Sequence, residues 1–99
     1  MDNYIELAYK QAIKQAERLE KVADNLDKAK GYLAGGTQEL AGGWSGNASA
    51  KYQRNCVQVQ EDITSNIRYI RNVAKAIRKT ASAYRKAETE AYEAATKKE

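Results

Sequence analysis

A chain of 99 residues has room for one domain and not for two. It contains no Pro, Phe or His and a single Cys, which excludes an internal disulfide, a His-based catalytic triad and a His-containing metal site. Lys and Arg outnumber Asp and Glu by 17 to 13, and the net charge of +4 arises wholly beyond residue 40.

Ala, Lys, Glu, Gln and Ile dominate both halves, and these residues mostly favour helix. Gly is confined to positions 31 to 46, so an all-α chain interrupted once near its middle is expected. No run of about 18 apolar residues exists to span a membrane. Met1-Asp2-Asn3-Tyr4-Ile5-Glu6 lacks a basic stretch followed by an apolar core, so no ordinary secretory signal peptide is expected. Any export would use a route that reads a different signal.

The first helix is expected over about residues 3 to 39, with Asp2 or Asn3 as its cap. Ile5, Ala12, Leu19, Leu26, Leu33 and Leu40 recur every seven residues, with Ala8, Gln15, Val22, Ala29 and Gly36 between them. This spacing predicts a heptad seam with large aliphatics at one position and mostly small residues at the other. Ala16 and Ala23 widen the stripe on one side. The pattern weakens at Gly31 and fails at Gly35-Gly36, where the helix is expected to end or fray.

Ala41-Gly42-Gly43-Trp44-Ser45-Gly46-Asn47 then holds three of the six glycines and the only Trp. A Gly-Gly pair followed by an aromatic and another Gly predicts a tight reversal at about 40–46, with the Trp filling the corner. A second helix is expected over about 46–95, capped by Ser45 or Asn47. Its seam is Tyr52, Cys56, Val59, Ile63, Ile67, Ile70, Val73, Ala74, Ile77, Ala81 and Tyr84, alternately three and four apart. Asn66 and Thr80 interrupt this seam, where a lone polar group fixes register rather than doing chemistry. Cys56 lies on the apolar face and reads as a small buried hydrophobe. The last turns, Glu88 to Glu99, are Ala-rich and charged and are expected to fray.

Two helices of this length joined by a short turn make an antiparallel hairpin on the order of 50 Å long. Each helix then has one neighbour, while its apolar stripe is wider than one neighbour can cover. Two hairpins are therefore expected to pair into a four-helix bundle dimer.

No catalytic set emerges. The acidic residues are spread along solvent faces, and Cys56 has no evident base. Gly42-Gly43-Trp44-Ser45-Gly46 lacks the Lys-Ser/Thr that follows a phosphate-binding loop. Neither enzymatic activity nor a cofactor or metal is expected. Arg68, Arg71, Lys75 and Arg78 form a basic row continued by Arg85 and flanked by Lys79 and Lys86. Nucleic acid, anionic membrane or an acidic partner would suit it. A solvated helix back, or pairing with an acidic face, is the preferred reading because +4 is modest for a nucleic-acid binder.

Trp44-Ser45-Gly46 at the bend of a helical hairpin of about 100 residues, with Ala48 and Tyr52 continuing it at small-then-aromatic spacing, resembles the WXG family of small type VII (ESX) secretion substrates. The likeness spans nearly the whole chain. Members also carry Tyr-Xaa-Xaa-Xaa-Asp/Glu near the C-terminus as an export signal, which Tyr84-Arg85-Lys86-Ala87-Glu88 matches. The other six tyrosines do not, having Ala8, Ile13, Gly36, Cys56, Val73 and Thr96 four residues on.

The resemblance implies a bacterial source and secretion without cleavage. It implies antiparallel pairing of two hairpins, which sets the Trp44–Gly46 turn of one beside Tyr84 and Glu88 of the other. That composite would be recognised by the membrane-bound ATPase of the secretion machine. A homodimer is the first expectation. A heterodimer with a related hairpin, or an adaptor role toward a larger exported toxin, stays open. A basic helical module for nucleic acid or anionic membrane is the alternative of another class.

Overall fold

A computed structural model describes residues 2–97, with side chains from Tyr4 to Lys97. The chain is a helical hairpin. Helix α1 (Asp2–Gly43) and helix α2 (Asn47–Lys97) are joined by Trp44, Ser45 and Gly46, and there is no strand among the described residues. The side chains of Asp2 and Asn3, expected as caps, lie outside the described residues.

Both helices exceed their expected bounds. α1 does not end at Gly35-Gly36 but runs on to Gly43, so Gly42 and Gly43 are helical rather than part of the turn. A glycine costs a helix interior only about 1 kcal/mol, and a long helix absorbs that once nucleated. At the far end, the segment expected to fray continues α2 to Lys97, in keeping with the helix propensity of its Ala, Glu and Lys residues.

The chain divides into two units, in each of which a segment of α1 packs against a segment of α2. The turn unit, Lys21–Ile70, buries Ala23, Cys56 and Ile67. Cys56 is thus the small interior hydrophobe its spacing predicts. Lys30 spans the two helices here: its ammonium donates to Thr64 Oγ1 at 3.2 Å, and the Thr64 hydroxyl donates to the Gln60 carbonyl at 2.9 Å. The terminal unit, Met1–Glu20 with Arg71–Glu99, buries Ile5, Ala16 and Ala74.

Burial corrects the expected seams. In α1 the row facing α2 is Ile5, Tyr9, Ala12, Ala16, Leu19, Ala23, Leu26, Lys30, Leu33 and Thr37, all buried or half-buried. The seven-residue row of large aliphatics is placed correctly as far as Leu33. Its companion row is one residue later than expected, so Ala16 and Ala23, fully buried, replace Gln15 and Val22. Small residues win there because they let the two backbones approach closely. In α2 the facing row is Ser49, Gln53, Cys56, Gln60, Ile63, Ile67, Ile70, Ala74, Ile77 and Ala81. Tyr52, Val59 and Tyr84 are exposed, as are Asn66 and Thr80. The polar side chains that join the helices are instead Lys30 with Thr64 in the turn unit, and Arg78 with Glu20 and Arg85 with Glu6 in the terminal unit.

What remains open is a second apolar row on each helix: Ala8, Val22, Ala29 and Leu40 on α1, and Tyr52, Val59, Val73 and Tyr84 on α2. The hairpin leaves each of them half-buried or exposed. Among the described residues, the largest fully buried side chain is that of Ser49. The accessible surface is 7768 Å², against about 5,600 Å² for a folded monomer of this mass.

Candidate functional site: a glycine turn and an open apolar groove

In the turn unit, Gly46 carries φ +109°, and it is the only positive φ among the described residues. That region of backbone space is strained for any residue with a Cβ, so the third position of Trp44-Ser45-Gly46 is set by the backbone. No atom crowds it: a Cβ at Gly46 would meet nothing within 4 Å. The Gly46 carbonyl accepts the first bond of α2 from the Ala50 N–H, at 3.0 Å, which makes Gly46 the N-cap residue in place of the expected Ser45 or Asn47.

A second bond closes the turn. The Ser49 hydroxyl, 1 % exposed, donates to the Trp44 carbonyl at 2.9 Å and accepts from the Gln53 amide at 3.1 Å. Neither Ser49 nor Gln53 is singled out by the sequence reading. The signal was available: the heptad row Cys56, Ile63, Ile70, Ile77 extended back by seven residues arrives at Ser49.

Trp44 does not fill a closed corner. It is 41 % exposed, with its ring tilted against Tyr52 at a centroid distance of 5.7 Å. The pair forms a partly exposed aromatic ledge at the turn. The Cys56 thiol beside the Tyr52 hydroxyl holds that phenol above its ordinary range, with charge interaction and desolvation adding in the same direction.

In the terminal unit, an open cleft of about 510 Å³ runs between the helices. Its walls are almost wholly apolar: Ile5, Ala8 and Ala12 come from α1, and Val73, Ile77 and Tyr84 from α2. Thr80, expected to set register, lines this groove. Tyr84 stands on the rim at 57 % exposure, and Glu88, one turn on, is half-buried.

Beside the groove, two arginines reach across to α1. The Arg78 guanidinium binds Glu20 with two parallel bonds, Nε to Oε2 at 2.9 Å and Nη2 to Oε1 at 2.8 Å. This pairing holds the Glu20 carboxyl below its usual range and raises Arg78 further. Arg85 Nε lies 3.2 Å from Glu6 Oε1, and its guanidinium carbon sits 4.4 Å above the Tyr9 ring. Of the basic row, Arg78 is thus turned toward α1, while Arg68, Arg71 and Lys75 are exposed on α2.

Among the described residues, no group of three or more His, Cys, Asp or Glu side chains could hold a metal ion. No helix there is long and apolar enough to cross a membrane. What the geometry offers is contact surface: an aromatic ledge at a hydrogen-bonded turn, and an apolar groove with a tyrosine on its rim.

A family model described as "Proteins of 100 residues with WXG" matches residues 4–89. No curated protein and no solved structure matches the chain.

Proposed function

The chain belongs to the WXG100 family, and we propose that it is a non-enzymatic protein exported by a type VII (ESX-like) secretion system and acting as a homodimer. The family is associated with type VII secretion substrates, small helical proteins that typically pair as dimers. The observation that carries the proposal for this chain is the uncovered apolar groove of the terminal unit. The accessible surface exceeds that of an ordinary monomer of this mass by about 2,000 Å², while a standard protein–protein interface takes about 800 Å² from each partner.

Trp44 and Gly46 form one half of the export signal, and Tyr84 with Glu88 the other. Pairing of two copies would bring the turn of one beside the terminal motif of its mate, so that only the dimer displays the complete signal to the membrane-bound ATPase. Export proceeds from the bacterial cytoplasm without cleavage. The backbone requirement at Gly46 and the exposure of Trp44 and Tyr84 support this reading, since a recognised side chain must be reachable. Trp44→Ala and Tyr84→Ala should each lower the secreted amount while cellular amounts hold. Unchanged secretion in both variants contradicts the reading.

An adaptor role, in which the groove receives the N-terminal helical domain of a larger toxin, uses the same surface. The lone protein distinguishes the two in size-exclusion chromatography. A stable dimer at micromolar concentration favours self-pairing, and a monomer or aggregate favours the missing partner.

A further inference from the structure

Tyr84 and Arg85 compete for one place. The row Cys56, Ile63, Ile70, Ile77 repeats every seven residues, and its next member is Tyr84, which on that pattern alone would pack inward against α1. In the structure the inward place after Ile77 and Ala81 goes to Arg85, half-buried, while Tyr84 is 57 % exposed. Successive helical residues are about 100° apart around the axis. Turning Arg85 toward α1 therefore turns Tyr84 out to the groove rim, and the reverse rotation would hide Tyr84.

Two α1 residues fix the choice. Glu6 supplies the counter-charge at 3.2 Å, and Tyr9 supplies a ring face 4.4 Å beneath the guanidinium. Neither contact with the guanidinium could form if Tyr84 occupied the seam. We infer that Arg85, held by Glu6 and Tyr9, is a positioning residue: it sets the rotation of the α2 end so that Tyr84 is presented rather than buried. The inference rests on the export reading given above for its functional consequence, but its structural part stands alone. Arg85 itself need not touch the secretion machine.

The test uses the full chain in a secreting host and as purified protein. Solvent reach of Tyr84 is read by nitration with tetranitromethane and peptide mass spectrometry, with Tyr32, 82 % exposed, as the internal reference. Losing a half-exposed ion pair and a cation–π contact shifts the balance between presented and buried Tyr84 by about tenfold, so Arg85→Ala should lower Tyr84 nitration relative to Tyr32 by about twofold or more. Glu6→Gln should lower it by a smaller factor. Export of Arg85→Ala should fall in parallel, with helicity at 222 nm unchanged. Arg85→Lys, which keeps the charge and the ring contact, should restore both readouts to those of the unsubstituted protein. Unchanged nitration in Arg85→Ala overturns the positioning role, whatever happens to export. If nitration falls as expected but Tyr84→Ala is exported normally, Arg85 still positions Tyr84 and it is the export reading that fails.

Discussion

Ser49→Ala isolates the bond that closes the turn. The substitution removes one oxygen from a site that is 1 % exposed, so almost no cavity is left. Two bonds disappear: the 2.9 Å donation to the Trp44 carbonyl and the 3.1 Å acceptance from the Gln53 amide. A net intramolecular hydrogen bond contributes about 1 kcal/mol, and Gln53, half-buried, recovers part of its loss from water. A cost of about 1–2 kcal/mol follows, a drop in Tm of roughly 5–10 °C for a chain of this length. Thermal unfolding followed by circular dichroism at 222 nm measures it, with both proteins at one concentration because self-association would shift Tm by mass action. The single Trp gives a local probe: its fluorescence should move toward that of a solvated indole before the helices melt. Ser45→Ala, at an exposed link position, should change Tm by no more than about 2 °C. Unaltered Tm and Trp emission in the Ser49→Ala protein would refute the claim that this hydroxyl holds the turn.

Gly46→Ala should destabilise by about 1–2 kcal/mol although nothing crowds the site, because φ +109° is strained for a Cβ-bearing residue. Gly35→Ala, on an exposed helical position, should instead stabilise by about 0.5–1 kcal/mol, and melting curves of the two variants should move in opposite directions. Glu20 has a native pKa depressed below 4.5 by Arg78, so its contribution to stability is complete above that value and is lost as pH falls through the depressed native pKa. Denaturant midpoints of Glu20→Gln and the unsubstituted protein should therefore converge in acid and separate toward neutrality. For the basic row, mobility-shift and liposome assays at physiological salt should find no binding, and binding lost on replacing Arg68 and Lys75 would revive the alternative partner class.

Much of the hairpin was legible in the sequence because its periodicity is strong over many turns. The row Ile5 to Leu33 and the interior place of Cys56 followed from spacing alone. The bounds were harder to read because Gly35-Gly36 and Gly42-Gly43 look like breakers taken locally. A long helix holds them at a cost smaller than that of stopping twice. The companion row on α1 was misplaced because Val22 is more apolar than Ala23, yet close approach of two helices selects the smaller side chain. Ser49 and Arg85 were missed as structural residues for a related reason: each is polar in an apolar row, and its role depends on a partner distant in sequence or on a backbone carbonyl. Trp44, Gly46, Tyr84 and Glu88 could be picked out as a pattern, but the φ that requires Gly46 and the place of Tyr84 on a groove rim are properties of the folded backbone that a linear pattern does not carry.

The claim on which the rest depends is that the open apolar groove of the terminal unit is covered by a second copy. Sedimentation equilibrium of the purified chain at tens of micromolar, beside Ala8→Arg, tests it most directly, since Ala8 lines the groove and a charge there would have to be buried on pairing. The account predicts twice the chain mass of 11.0 kDa for the unsubstituted protein, and a shift toward the single-chain mass, with helicity retained, for Ala8→Arg. A helical, soluble unsubstituted protein that sediments at 11.0 kDa across that range would contradict it.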